Sequence, residues 1–141
     1  MIYLVRHGEA SASWGQVQDP GLSELGKTQA HQVAETLQGV SIEQVLTSPM
    51  ARCQQTASPF SELSGLPAKV DPAVTEIPTP EGLDDRVTWL RGFMAGAWGE
   101  APAVVSDWRA TLLERAHLLP EKCVVFTHFI AINTIIGHLE G

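Results

Sequence analysis

Four residues stand where apolar runs break off, and their types belong to a centre that handles anions. Arg6 and His7 follow Ile2-Tyr3-Leu4-Val5, Arg52 lies a few residues beyond Gln44-Val45-Leu46-Thr47, and His128 follows Cys123-Val124-Val125-Phe126-Thr127 directly. The two guanidinium groups offer rigid forks of donors that match the oxygens of a phosphoryl group or a carboxylate. Anion binding alone needs no imidazole. Two histidines add a nucleophile and a second group able to carry a proton or a hydrogen bond. That mix favours phosphoryl transfer through an imidazole. One such residue at a strand end is an ordinary structural feature; three strand exits that agree are not.

For these residues to meet, the elements that carry them must share one edge. Residues 2–5 read as a short strand, and Leu22-Ser23-Glu24-Leu25-Gly26 opens a helix with Ser23 as its cap. Its apolar positions are Leu25, Ala30, Val33 and Leu37, and Gly39 ends it. Residues 44–47 form a second strand. Ser48-Pro49 then predicts a helix start, a capping hydroxyl followed by proline at the first helical position. Met50, Cys53, Ala57 and Phe60 make its buried stripe, and Pro59 is expected to kink it. Residues 68–75 resemble a weaker strand interrupted by Asp71-Pro72. Two helical patterns come next, Leu83, Val87, Leu90, Met94 and Ala97, then Val105, Trp108, Leu112, Ala116 and Leu119, with a turn at Gly99-Glu100-Ala101-Pro102 between them. Residues 123–127 are the clearest buried strand, and a helix follows over 129–139. Strands linked by helices predict the α/β class, a three-layer α/β/α sandwich with a mostly parallel sheet. Ligands of such sheets bind beyond the carboxyl ends of the strands, where Arg6, His7, Arg52 and His128 fall. Helix N-termini at Ser48-Pro49 and near Phe129 are expected to add backbone donors there.

Composition sets the bounds. The 141 residues fit one domain, with 44% hydrophobic and 18% charged residues, as expected of a folded chain with a real core. A net charge of −7 argues against nucleic-acid and anionic-membrane partners, so an anionic ligand must be held by a local cluster of the nine basic residues. Cys53 and Cys123 lie in apolar elements and read as buried free thiols. The sequence has neither a signal-peptide pattern nor an apolar run of about 18 residues, so it is expected to be cytoplasmic. No set of ligands has metal spacing, and no cofactor is implied.

The segments around these residues resemble the histidine phosphatase (phosphoglycerate mutase-like) superfamily. "LVRHGEA" carries its Arg-His-Gly signature, and the likeness continues through "DPGLSELGKTQAHQVAETL" (19–37), "VLTSPMARCQQTA" (45–57) and "CVVFTHFIAINTIIG" (123–137). The resemblance implies a phosphoglycerate mutase-like fold, with His7 as the nucleophile that becomes phosphohistidine. It implies that Arg6, Arg52 and His128 hold the phosphoryl oxygens and stabilise charge during transfer. An acidic proton donor is expected in a loop after the third strand, where "VTEIPTPEG" offers Glu76, with Glu81 the poorer candidate. His31, His117 and His138 match no motif and read as surface or packing residues.

Some features depart from the family pattern. Phe129 stands where members commonly have glycine, and it joins Ser13 and Trp14 as a candidate wall of the substrate pocket. Trp89 and Trp98 are further candidates. The first loop lacks the asparagine often found there, leaving Ser11 or Ser13 to replace one phosphate contact. Members usually continue into another strand after the last helix, so the single domain over 1–141 reads as truncated or short of an edge strand. The long insertions of the phosphoglycerate mutases are missing, which favours an open site that water can enter. The expected function is therefore hydrolysis of a phosphomonoester, or of phosphohistidine, on a small phosphorylated substrate. A non-catalytic phosphate-binding regulatory module and a phosphomutase are the alternatives. A zinc deaminase would need a Pro-Cys-x-x-Cys partner for His7-Gly8-Glu9, and the two cysteines are 70 positions apart. A serine hydrolase would need a Gly-x-Ser-x-Gly elbow, which is absent.

Overall fold

A computed structural model describes residues 1–11, 19–78 and 103–140. Among the described residues four strands, β1 (Ile2–Arg6), β2 (Gln44–Thr47), β3 (Ala68–Val70) and β4 (Cys123–Thr127), form one parallel sheet in the order β1-β4-β2-β3. The last strand in sequence is thus inserted between the first two. Its composition explains the position: all five residues of β4 are buried, as a strand covered on both faces requires.

Among the described residues four helices cover the sheet: α1 (Glu24–Leu37), α2 (Ala51–Ser64), α3 (Ala103–Leu118) and α4 (Phe129–Glu140). The two-residue alternation of β4 sorts the core into two layers. Val124 and Phe126 point to the side where Ala34, Leu37, Ala57 and Phe60 of α1 and α2 pack. Cys123 and Val125 point to the other, against Val105, Trp108 and Leu112 of α3 and Ala131 and Ile135 of α4. The α/β sandwich expected from the strand-helix alternation is the observed architecture. Among the described residues no helix is long and apolar enough to cross a membrane.

Several local expectations need correction. Helix α2 begins at Ala51 with Met50 at its N-cap, so Pro49 is not in the first helical position. Ser48 still accepts a hydrogen bond from the Met50 N–H at 3.3 Å, but its hydroxyl serves another partner described below. The helix that Pro59 is expected to kink runs on to Ser64 and closes on Gly65, whose φ of 76° is the left-handed conformation glycine tolerates. Ala57 and Phe60 flank the proline and are buried, so packing holds the helix where the missing donor would weaken it. In α1 the Ser23 cap is as expected, accepting from the Gly26 N–H. Leu25, however, is 54% exposed, and Gly26 and Ala34 take the buried face. The third strand stops at Val70, and Pro72–Val74 is a 3₁₀ turn capped by the Asp71 side chain. The helical pattern over 83–97 and the turn at 99–102 lie outside the described residues.

Candidate active site

Register brings the strand exits level. Arg6 pairs with Thr127, and Thr47 with Phe126, so β1, β2 and β4 end together. The ladder is extended by one bond on each side: His7 N–H donates to Thr127 O at 3.1 Å and Ser48 N–H to Phe126 O at 2.9 Å. His7 and His128 therefore emerge side by side, with ring centroids 5.3 Å apart and planes at 68°.

The backbone around His7 is tightly held. Gly8 N–H donates to Thr56 Oγ1 at 3.0 Å, and the same hydroxyl donates to Arg52 O at 2.7 Å. One threonine thus ties the loop carrying His7 to the helix carrying Arg52. Close approach of α1 is the other constraint: a Cβ on Gly8 would lie 2.6 Å from Gly26 O, and one on Gly26 would lie 2.1 Å from Glu9 O. Glycine is required on both sides of that contact.

His7 is oriented by its two nitrogens. Nδ1 lies 2.7 Å from the Gly8 carbonyl oxygen, which can only accept, so Nδ1 carries the proton. Nε2 is left with its lone pair and accepts from Arg52 Nε at 3.3 Å. Burial pushes the His7 pKa below its usual value; the Arg52 and Arg6 charges act in the same direction, and the Gly8 bond and Glu76 partly oppose them. The result is a neutral imidazole presenting a lone pair at neutral pH.

Arg52 is 4% exposed and occupies the centre of the cluster. Its Nη2 donates to Glu76 Oε2 at 2.6 Å and lies 3.5 Å from His128 Nδ1, and its Nη1 is 4.0 Å from Asp19 Oδ1. Glu76 reaches this position because its segment is sewn to the sheet and to α3. Thr127 Oγ1 donates to Val74 O at 2.6 Å, Trp108 Nε1 donates to Thr75 O at 3.1 Å, and Ile77 is buried in the core. His128 has its Nε2 2.8 Å from Ser48 Oγ. Cys53 Sγ is 3.5 Å from the same nitrogen, and burial pushes its thiol up to about 12, so it stays protonated and unreactive at neutral pH.

The structure thus brings together His7, Arg52, Glu76 and His128. Arg6 is placed differently. It is exposed at the rim, with its guanidinium carbon 5.1 Å from the centroid of the Phe129 ring, rather than bonded into the cluster. Phe129 is 46% exposed at the start of α4, where it edges the site. Ser13, Trp14, Glu81, Trp89 and Trp98 lie outside the described residues. Of the backbone donors expected at the start of α2, the Ala51 N–H is taken by Asp19 Oδ1 at 2.8 Å and the Met50 N–H by Ser48 Oγ. His31, His117 and His138 are exposed, as expected.

Sequence reasoning missed Ser48, Thr56 and Asp19 as parts of the site. All three lie within the family-like segments; Ser48 reads as a helix cap, Thr56 is a motif position with no role assigned to its side chain, and Asp19 is given none. Their partners are distant in sequence, so only the packed chain shows them.

A parallel α/β sheet with a neutral histidine, a buried arginine, a second histidine and a carboxylate at one strand edge is the architecture of an enzyme that acts on phosphate esters. The histidine phosphatase superfamily (branch 1) model matches residues 2–141, and the chain belongs to that family. It is 38% identical over 162 aligned positions to the probable phosphoglycerate mutase GpmB of Yersinia pestis (strain Pestoides F), covering 99% of this chain and 74% of that protein. The mycobacterial glucosyl-3-phosphoglycerate phosphatase Rv2419c in complex with inorganic phosphate superposes with a TM-score of 0.71 at 26% identity, over 96% of this chain and 76% of that one. The phosphoserine phosphatase of Entamoeba histolytica in complex with 3-phosphoglyceric acid shares the fold, with a TM-score of 0.75 at 21% identity over 99% of this chain and 79% of that one.

Proposed function

We propose that the protein hydrolyses a phosphomonoester of a small phosphorylated substrate through a phosphohistidine formed on His7 Nε2. The observation that carries the reading is the orientation of that imidazole: Nδ1–H committed to the Gly8 carbonyl, Nε2 facing the Arg52 guanidinium. In the first step Nε2 attacks phosphorus, the ester P–O bond breaks, and Glu76 in its protonated form delivers a proton to the departing oxygen. Arg52 and His128 hold the non-bridging oxygens as charge redistributes over them, and Arg6 adds its charge from the rim. In the second step water attacks phosphorus, the P–N bond breaks, and the Glu76 carboxylate takes the proton. Inorganic phosphate and neutral His7 are the products.

The phosphatases among the structural neighbours support hydrolysis, and the mutase name among the relatives marks the alternative, return of the phosphoryl group to a second hydroxyl. A radiolabelled aryl phosphate, quenched rapidly without acid, should leave an alkali-stable, acid-labile adduct on the wild-type chain and none on His7→Ala. Label on a serine, an aspartate or a cysteine would overturn the assignment. Transfer of label to an added phosphoglycerate in preference to release as inorganic phosphate would favour the mutase.

A further inference from the structure

Histidines 117 and 138 take no part in the chemistry above, yet they meet. His117 lies in the last turn of α3 and His138 in the last turn of α4, and their Nε2 atoms are hydrogen-bonded at 3.1 Å, so one proton lies between the two nitrogens. We propose that this pair is a binding site for a divalent transition-metal cation of borderline softness, copper, nickel or zinc, independent of the phosphoryl-transfer centre. Metal–imidazole bonds of about 2.0–2.1 Å at a cis or tetrahedral angle hold two nitrogens roughly 2.9–3.4 Å apart, and the observed separation falls inside that range. The rings meet edge to face, with planes at 82° and centroids 5.2 Å apart, so neither ring covers the other's nitrogen.

The fold supplies a second reason for a cation here. Helix α3 leads into β4 and α4 returns from it, so both helices end at the edge of the sheet opposite the catalytic residues. Two helix C-termini lie side by side, each equivalent to about half a negative charge. Both histidines are exposed, which gives the ion an entry path and leaves water to fill its remaining positions. In the neutral rings each Nε2 offers a lone pair once Nδ1 carries the proton, and the cation replaces the one proton the two nitrogens can share. Hard cations that prefer oxygen, magnesium and calcium, do not fit this donor set.

Isothermal titration of the whole chain with copper, nickel or zinc chloride in a non-chelating buffer should show one saturable site, with copper tightest and magnesium silent. Nickel should broaden the ring resonances of His117 and His138 in a proton–nitrogen spectrum and spare those of His7, His31 and His128. His117→Ala and His138→Ala should each weaken binding by at least about tenfold, the loss seen even for groups that only support a ligand. His31→Ala should leave it unchanged. No saturable site, binding that survives the double variant, or broadening centred on His7 and His128 would overturn the proposal. The wild-type spectrum decides the matter even if a variant misfolds.

Discussion

Replacing Arg52 by lysine keeps the charge and removes the geometry. The guanidinium spans the site with three nitrogens: Nε on His7 Nε2 at 3.3 Å, Nη2 on Glu76 at 2.6 Å and beside His128 Nδ1, and Nη1 toward Asp19. An ammonium is a single point and cannot face His7 and Glu76 at both those distances while also holding a phosphoryl oxygen. One charge-assisted hydrogen bond is therefore lost from the transition state, on the scale of one oxyanion-stabilising donor. That is about 2–4 kcal/mol, or roughly 30- to 1,000-fold in kcat/KM. Because Arg52 is 4% exposed, water cannot restore the missing contact. Steady-state hydrolysis of an aryl phosphate by Arg52→Lys, beside Arg52→Ala, measures the loss, with circular dichroism confirming that both variants fold. Turnover within about threefold of wild type would refute the reasoning, since it would mean that Arg52 contributes only long-range charge.

Other outcomes follow from the same geometry. Glu76→Gln should slow hydrolysis of an alkyl phosphate by about 10²–10⁴-fold and that of an aryl phosphate with a good leaving group far less, because only the alkoxide needs a proton; equal losses on both would assign Glu76 a positioning role through Arg52. A magnetic-resonance titration of the His7 ring should give a midpoint below the ordinary 6.5. The unfolded chain takes up that proton first, so this residue's contribution to stability is full above pH 6.5 and lost as pH falls from there to the lowered value. A midpoint above 6.5 would contradict the burial of the ring. Gly26→Ala should lower the melting temperature, because a methyl 2.1 Å from the Glu9 carbonyl oxygen costs about 1–3 kcal/mol in displaced backbone, more than the roughly 1 kcal/mol gained in helix propensity; an unchanged or higher melting temperature would count against that contact. Hydrolysis should survive exhaustive chelation, and a loss restored by magnesium or zinc would reassign the electrostatic stabilisation to a metal.

The class of the fold and the four residues at its edge were legible in the sequence because they depend on local pattern. A run such as Cys123-Val124-Val125-Phe126-Thr127 has enough apolar residues in succession to demand burial on both faces, whatever packs there. A polar residue following such a run must then emerge at the strand end, which places Arg6, His7 and His128 without knowledge of the partners. Glu76 became a candidate only through the acidic donor that the family resemblance implies in a loop after the third strand, and the structure sets it beside Arg52.

Tertiary structure alone decided how those residues are used. Local pattern cannot say that β4 inserts between β1 and β2, and only that order sets His128 against His7. Ser48 satisfies both a helix start and a buried imidazole, and the local signal registers only the first. Arg6 carries the same charge inside the pocket or on the rim, and the structure sets it at the rim over the ring of Phe129, more than 120 residues away. His117 and His138 are unrelated positions along the chain, brought within a bond's reach because two helices antiparallel to one strand must end at the same edge. A local periodicity fixes which way a side chain faces along its own element. The neighbour it meets depends on the order in which elements pack, and that order follows from burying all their apolar faces at once.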